Sequence, residues 1–304
     1  MKQLAIVIPA YKSNYLSSAL DSIAAQTCQD FMLYIGDDSS PYDIESIVEQ
    51  YKDKINLVYH RFDTNLGEEN LVAQWERCIA MNQGEQWLWL FSDDDIMEPN
   101  CVASFYETLK EDNATHDLYH FNVKIINGNG CIIRSTEPYP QRLNSFSFYK
   151  GKMIGKIASL VVENIFSREV YDRNNGFKNF DLAWGSDTAT WCIFSKERGF
   201  CTIEGAFVLW RNSGKNITPN KTTPIAERKM ESLCDYYDWS FHFYNDYCLQ
   251  CLYINCRSFV NRMSSYASHL SKDKYKEIVR KFCNIHHLYG FELIFRLLIR
   301  FKQK

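Results

Sequence analysis

A chain of 304 residues with 46% hydrophobic and 15% aromatic content carries enough apolar material for a sizeable globular core. Its formal charge of −3 at pH 7 leaves no general cationic surface, which argues against nucleic acid as a partner. No segment approaches the roughly 18 to 20 apolar residues that a membrane-spanning helix requires.

Met1-Lys2-Gln3 runs directly into the apolar segment Leu4–Ile8, which is too short for the core of a secretion signal. The expected location is therefore the cytoplasm. The eleven cysteines are then expected as reduced thiols packed like small hydrophobes. Leu4–Ile8 predicts a strand ended by Pro9, and Tyr15–Thr27 follows with helical spacing at Leu16, Leu20, Ile23 and Ala24. Phe31–Ile35 and Ile55–His60 predict strands around a helix over Ile44–Tyr51, and Glu69–Met81 predicts another helix. Trp87–Phe91 reads as a strand buried on both faces, followed by Asp93-Asp94-Asp95 and a helix over Cys101–Lys110. Alternating strand and helix units of this length imply a mostly parallel, doubly wound α/β sheet flanked by helices.

Beyond this point the pattern loosens. Asp117–Ile126 predicts a strand, and Asn127-Gly128-Asn129-Gly130 a hairpin turn into Cys131–Arg134. Residues 135–151 read as loop, about 151–173 as helical, and another helix begins near Asp187. Ala206–Trp210 is apolar and opens into the polar loop Arg211–Thr223, after which the chain reads as helical to its end. Residues 272–304 hold nine Lys or Arg against three acidic residues, so the body of the chain carries the acidic excess. Between Phe291 and Lys304, helical spacing gathers Glu292, Arg296, Arg300 and Gln303 into one arc, with large apolar residues filling much of the rest. Such a helix suits either an anionic bilayer interface or packing against the body of the protein.

Three loops after three strands carry candidate chemistry: Pro9-Ala10-Tyr11, Asp37-Asp38-Ser39 and Asp93-Asp94-Asp95. Strand ends of one parallel sheet share an edge, so these loops can meet in one crevice, where ligands of open α/β sheets bind. Three adjacent carboxylates repel one another unless a cation or donors neutralise them, and hard divalent cations bridge carboxylates to phosphates. Alone, the triplet reads equally as an acidic helix start. Glycine-rich dinucleotide and Walker loops are absent.

The ordered motifs IVIPAYKS (6–13), IGDDSS (35–40), NLG (65–67), FSDDDIMEP (91–99), WGSD (184–187) and WRNSGKNIT (210–218) resemble the family 2 glycosyltransferases of GT-A fold. The closer resemblance is to bacterial enzymes of surface-polysaccharide assembly, of capsule or O-antigen type. It implies a catalytic domain over 1–223, with a nucleotide-sugar half at about 1–100 and an acceptor half at about 101–223. A helical carboxy-terminal extension with a basic amphipathic end covers 224–304. It also implies a nucleotide-sugar donor, a glycan or lipid-linked glycan acceptor, and Mg²⁺ or Mn²⁺ as cofactor.

Carried onto this sequence, the resemblance makes Pro9 and Tyr11 part of the base site, with Tyr11 stacking on uracil and Asp38 accepting its N3–H. Asp94 becomes the main metal ligand, with Asp93 or Asp95 assisting, because Ser92 stands where the family's first acidic ligand falls. Asp187 corresponds to the catalytic base of an inverting transfer, and Arg211 and Lys215 to loop cations that close over the diphosphate. Structural alternatives are a turn for Tyr11, an Asx-turn for Asp38, an N-cap for Asp187 and solvated loop charges for Arg211 and Lys215. A non-catalytic nucleotide-sugar-binding subunit and a sugar-phosphate nucleotidyltransferase are the competing functions. The latter lacks its glycine-rich amino-terminal loop here.

Overall fold

The computed structural model describes residues 3–214 and 220–303. Its strands are β1 (Leu4–Ala10), β2 (Phe31–Asp37), β3 (Leu57–Arg61), β4 (Trp87–Leu90), β5 (Ile96–Met97), β6 (Leu118–Ile126), β7 (Ile132–Ser135), β8 (Arg142–Leu143), β9 (Asn164–Ser167) and β10 (Phe200–Arg211). Helices α1 (Leu16–Ala24), α2 (Ile44–Glu49), α3 (Leu71–Ile79) and α4 (Cys101–Glu111) alternate with the early strands. Helices α5 (Ser145–Met153), α6 (Arg168–Arg173) and α7 (Ser186–Phe194) follow, and α8 (Thr223–Phe243), α9 (Cys248–Tyr266), α10 (Lys272–Ile285) and α11 (Glu292–Gln303) complete the chain.

One sheet runs through the molecule in the order β3-β2-β1-β4-β9-β6-β10-β5. The run β3-β2-β1-β4 is parallel, as is the β6–β10 pair, whereas β9 lies antiparallel between β4 and β6. The chain steps outward from β1 to β3 and then returns to place β4 on the other side of β1. The loops leaving β1 and β4 therefore part in opposite directions and open a crevice at the carboxyl edge of the sheet.

Side chains alternate along the strands, so each strand feeds two cores. Trp87, Trp89 and Phe91 join Leu4, Ile6 and Ile8 on the face covered by α1, α2 and α4. Leu88 and Leu90 join Ala5 and Val7 on the opposite face, with α3 and buried residues of α8 to α11. The carboxy-terminal helices thus share their apolar core with the sheet. Phe295 and Ile299 of α11 belong to that core, and Phe295 lies 5.4 Å from Phe282 between ring centroids.

The region expected to be helical over about 151–173 instead contains β9. Ile165 and Phe166 go to opposite faces of the sheet, both fully buried. A four-residue apolar strand buried on both faces has no alternation to distinguish it from a piece of buried helix. The segment read as loop over 135–151 contains β8 and most of α5, whose N-cap Asn144 accepts the Ser147 N–H at 2.8 Å. All eleven cysteines are free thiols. No helix among the described residues is long and apolar enough to cross a membrane.

Candidate active site

The crevice at the β1/β4 divergence deepens into a cleft of about 730 Å³. Pro9, Tyr11, Asp38, Asp93, Asp94, Asp95 and Asp187 all line it, although 178 positions separate the first from the last. Arg211 borders this region without lining the cleft, and Lys215 lies outside the described residues.

The loop after β2 divides its two aspartates between different tasks. Asp37, fully buried, accepts the Ser40 N–H at 2.8 Å, the Tyr59 hydroxyl at 2.7 Å and the Arg61 Nη1 at 2.7 Å. The turn-forming role weighed for Asp38 thus belongs to Asp37. Asp38 instead accepts the Leu66 N–H at 2.7 Å on Oδ1 and the Gly67 N–H at 2.9 Å on Oδ2, and Arg77 pairs with its Oδ1. Three of about four acceptor positions are taken, leaving one on Oδ2. Gly67 is dictated by this approach, since a Cβ there would stand 2.5 Å from Asp38 Oδ2. Tyr11 is 37% exposed at the mouth, and its carbonyl accepts the Ser40 hydroxyl at 2.6 Å.

The aspartate triplet separates into three directions. Asp93 Oδ2 accepts the backbone N–H groups of Tyr11 at 2.9 Å and Lys12 at 2.7 Å, tying the β4 loop to the β1 loop across the crevice. Asp95 Oδ1 accepts the Arg211 N–H at 2.7 Å, anchoring the other end of the loop to β10. Asp94 meets the Ser92 hydroxyl at 2.6 Å on Oδ1, the Ser213 hydroxyl at 3.4 Å on Oδ2 and Lys12 Nζ at 3.9 Å. Burial and the neighbouring Asp94 charge push the Asp93 carboxyl up to about 6, against its two N–H partners. Burial, then Asp94, raise Asp95 well above the usual carboxylate range.

Arg211 is 2% exposed and serves as an internal brace, not a mobile cation closing over the cleft. Its Nε donates to the Asp94 carbonyl at 2.7 Å and its Nη1 to the carbonyls of Asn127 and Gly128 at 3.2 and 3.1 Å. The guanidinium also lies 4.4 Å from the Tyr15 ring centroid. As the last residue of a paired strand, it is held where the sequence suggested a free loop.

Asp187 occupies the first turn of α7, and the N-cap is Gly185, with φ of 97°. The aspartate is therefore not the cap. A Cβ at Gly185 would lie 3.0 Å from the Tyr236 ring, so glycine is required both by φ and by contact. Leu182 and Ala183 before it also hold positive φ, 56° and 53°, a costly conformation for residues with side chains. Asp187 Oδ1 accepts the Thr188 N–H at 2.7 Å. Burial raises its carboxyl, opposed first by the Lys152 charge and then by the Thr188 N–H.

Sequence reasoning gave no role to the opposite wall, where Lys152, Tyr236, Ser258 and Arg262 line the cleft from α5, α8 and α9. Behind Lys152, Glu163 is fully buried, its Oε1 accepting the Leu160 N–H at 2.6 Å while Oε2 has no hydrogen-bond partner among the described residues. Burial pushes the Glu163 carboxyl up to about 8.

Residues 5–169 match the family described as "Glycosyl transferase family 2". Over 161 residues the chain is 31% identical to "Poly(ribitol-phosphate) beta-N-acetylglucosaminyltransferase TarS" of Staphylococcus aureus, a stretch that is 49% of this chain and 26% of that protein. The chain thus matches only about a quarter of the length of that relative. Among solved structures, residues 1–349 of S. aureus TarS superpose with a TM-score of 0.67 at 16% identity, covering 99% of this chain and 88% of that one. The same fragment in complex with UDP-GlcNAc gives 0.56 at 15% identity, covering 99% of this chain and 89% of that one. "Mannosyltransferase PcManGT from Pyrobaculum calidifontis in complex with GDP-Man and Mn2+" gives 0.53 at 12% identity, covering 99% of this chain and 86% of that one. These superpositions identify the GT-A fold with a helical carboxy-terminal region. The chain belongs to glycosyl transferase family 2.

Proposed function

From that membership we propose that this chain is an inverting glycosyltransferase. It moves a sugar from a uridine-diphosphate donor to a hydroxyl of a surface-polymer acceptor. The observation that carries the reading is the meeting of Tyr11, Asp38, Asp94 and Asp187 in one cleft from four separate elements. The TarS relatives, solved with UDP and with UDP-GlcNAc, support uridine as the base. Residues 1–223 form the catalytic unit and 224–304 the helical extension that walls the acceptor side.

Uracil stacks on Tyr11 and offers its N3–H to the one acceptor position left on Asp38 Oδ2. The set around Asp94 fits a hard divalent cation, because Asp94 lines the cleft and, among the described residues, its oxygens are met by hydroxyls and a distant ammonium. Asp94, with Asp95 beside it, would hold Mg²⁺ or Mn²⁺, which neutralises the leaving diphosphate when bound. Asp187 accepts the proton of the acceptor hydroxyl as that oxygen attacks the anomeric carbon. The bond to the diphosphate breaks on the opposite side. One displacement inverts the centre and needs no covalent intermediate. Asp93 and Arg211 act as braces that fix the two loops before the donor arrives.

The α11 surface supports delivery of the acceptor at an anionic membrane. Leu293, Ile294, Leu297, Leu298 and Phe301 are exposed on the side away from buried Phe295 and Ile299, with Arg300 and Lys302 exposed on the same helix.

Thermal unfolding with UDP-GlcNAc and Mn²⁺ tests the donor assignment. A ligand at 100 times its Kd adds about 2.7 kcal/mol. Stabilisation by uridine nucleotides, with UDP release on adding acceptor, is expected. No shift with any uridine nucleotide would overturn it, and binding without turnover under any acceptor would leave a non-catalytic binding subunit.

A further inference from the structure

A carboxyl that is to act as a base must be ionised when the acceptor arrives, and burial works against this at Asp187. Lys152, which lines the same cleft, is held where it offsets that cost. It stands in the last turn of α5, which packs against α7, the helix that carries Asp187. The Ser145 hydroxyl ties the start of α5 to α7 by donating to the Cys192 carbonyl at 2.7 Å. Lys152 Nζ donates to the Ser159 carbonyl at 2.7 Å. The next residue, Leu160, gives its N–H to Glu163 at 2.6 Å, and its carbonyl accepts the Trp191 Nε1–H at 3.3 Å. Trp191 lies one turn beyond Asp187 on α7. The short segment 159–163 thus fastens the ammonium, the buried Glu163 and the helix of the base to one another.

The surroundings direct the Lys152 charge toward Asp187. Glu163 is fully buried and its Oε2 meets no partner among the described residues, an arrangement that suits the neutral acid. Its carboxyl, pushed up to about 8 by burial, keeps its proton below that pH. Tyr139, Tyr236 and Cys192 also lie near Asp187, and burial keeps all three in their neutral forms. Arg262, exposed on α9, opposes the ammonium less than Asp187 and Glu163 favour it. Among the described residues Lys152 and Asp187 make no direct ion pair, and Asp187 Oδ1 takes the Thr188 N–H at 2.7 Å. The carboxylate is therefore supported through space without being capped by the cation.

We propose that Lys152 is a positioning residue for the transfer step, its anchored ammonium holding Asp187 as the carboxylate that takes the acceptor proton. Glu163 behind it stays an uncharged acid, so the cation serves Asp187 alone. Lys152 itself makes and breaks no bond. The proposal rests on the transferase reading above.

The test compares Lys152→Met with Lys152→Arg in the full chain. UDP release from UDP-GlcNAc with Mn²⁺, water serving as acceptor, is followed across the acid limb of the pH profile. Loss of the cation raises the Asp187 carboxyl, so in Lys152→Met the limb should move up by about one pH unit, with about a tenfold lower rate within it. Lys152→Arg keeps the charge and should recover most of that shift. Glu163→Gln should leave the limb in place; a downward shift there would mean that Glu163 is charged and shares the cation, against the proposal. A limb that stays put in Lys152→Met, with the rate lowered equally at every pH, would make Lys152 a structural tie and overturn it. A second measurement needs no turnover. In protein labelled with ¹³C at the aspartate carboxyls, the signal missing from Asp187→Asn identifies Asp187, and its titration midpoint should rise by about one unit in Lys152→Met. A raised midpoint in a chain that releases no UDP leaves the coupling standing and counts against the transferase reading. UDP release with an unmoved midpoint keeps that reading and removes Lys152 from it.

Discussion

Replacing Asp187 with Asn tests the proposed base with little disturbance to the fold. The side chains are nearly isosteric, and the amide oxygen can still accept the Thr188 N–H now received at 2.7 Å. Gly185, not Asp187, caps α7, so no cap is lost. What disappears is the capacity to take a proton at the face of the cleft. General-base assistance contributes about 10²–10⁴-fold, and kcat should fall by that range. The donor site lies on other elements, so the Kd for UDP measured by calorimetry should change less than about twofold. The pH profile gives an independent reading. Burial raises the Asp187 carboxyl above its ordinary value, so wild-type activity should fall as pH drops through that raised value. The acid limb is therefore expected above the usual carboxylate range near 4, and it should vanish from the residual activity of the variant. A near-normal rate, or an unchanged acid limb, would refute Asp187 as the base.

Four further outcomes follow from the geometry. Ser92→Asp should restore the acidic position now filled by a hydroxyl 2.6 Å from Asp94 and lower the Mn²⁺ concentration giving half-maximal activity; an unchanged metal requirement counts against Asp94 as ligand. Gly67→Ala should drive a Cβ into Asp38 Oδ2, costing about 1–2 kcal/mol in urea unfolding and weakening uridine binding; wild-type values for both would remove the clamp argument. Glu163, with a folded value of about 8 against an ordinary value near 4.5, loses stability as pH rises through that window, because the unfolded carboxyl releases its proton first. Thermal scans from pH 5 to 8 should therefore show a shallower decline for Glu163→Gln, and parallel curves would contradict this. Leu297→Gln with Phe301→Gln, at side chains 56% and 80% exposed, should abolish sedimentation with anionic vesicles while leaving the melting temperature unchanged. Retained sedimentation would exclude that face as a membrane contact.

The side of the cleft built by the early strands was legible because its signals are local. An apolar strand and the polar loop that follows it are contiguous in sequence, and sheet geometry brings such loops to one edge. That rule pointed to the loops holding Tyr11, Asp38 and Asp94, and the family resemblance singled out those residues within them. The opposite wall of the cleft has no such signature, since Lys152 and Arg262 both line it through the packing of α5 against α9. Strand β9 escaped for a different reason, as four buried residues in the middle of a sheet carry no periodicity. Arg211 was misplaced because its polar neighbours suggested a loop, while the pairing of β10 with β6 extends through Arg211 itself.

The triplet shows how an unfavourable sequence can be made useful. Three adjacent carboxylates in a buried loop repel one another, and the fold relieves this by turning them apart. Asp93 takes two N–H groups from the β1 loop, and Asp95 takes one from β10. Each thereby spans a gap between elements and holds the loop at both ends. Asp94, between two anchored neighbours, keeps its orientation with, among the described residues, hydroxyl partners and a cation 3.9 Å away. The charge that raises its neighbours' proton affinity is the charge available to the cleft. On this argument Asp93 is a positioning residue, so Asn there should loosen the loop, while Asn at Asp94 removes the main ligand itself.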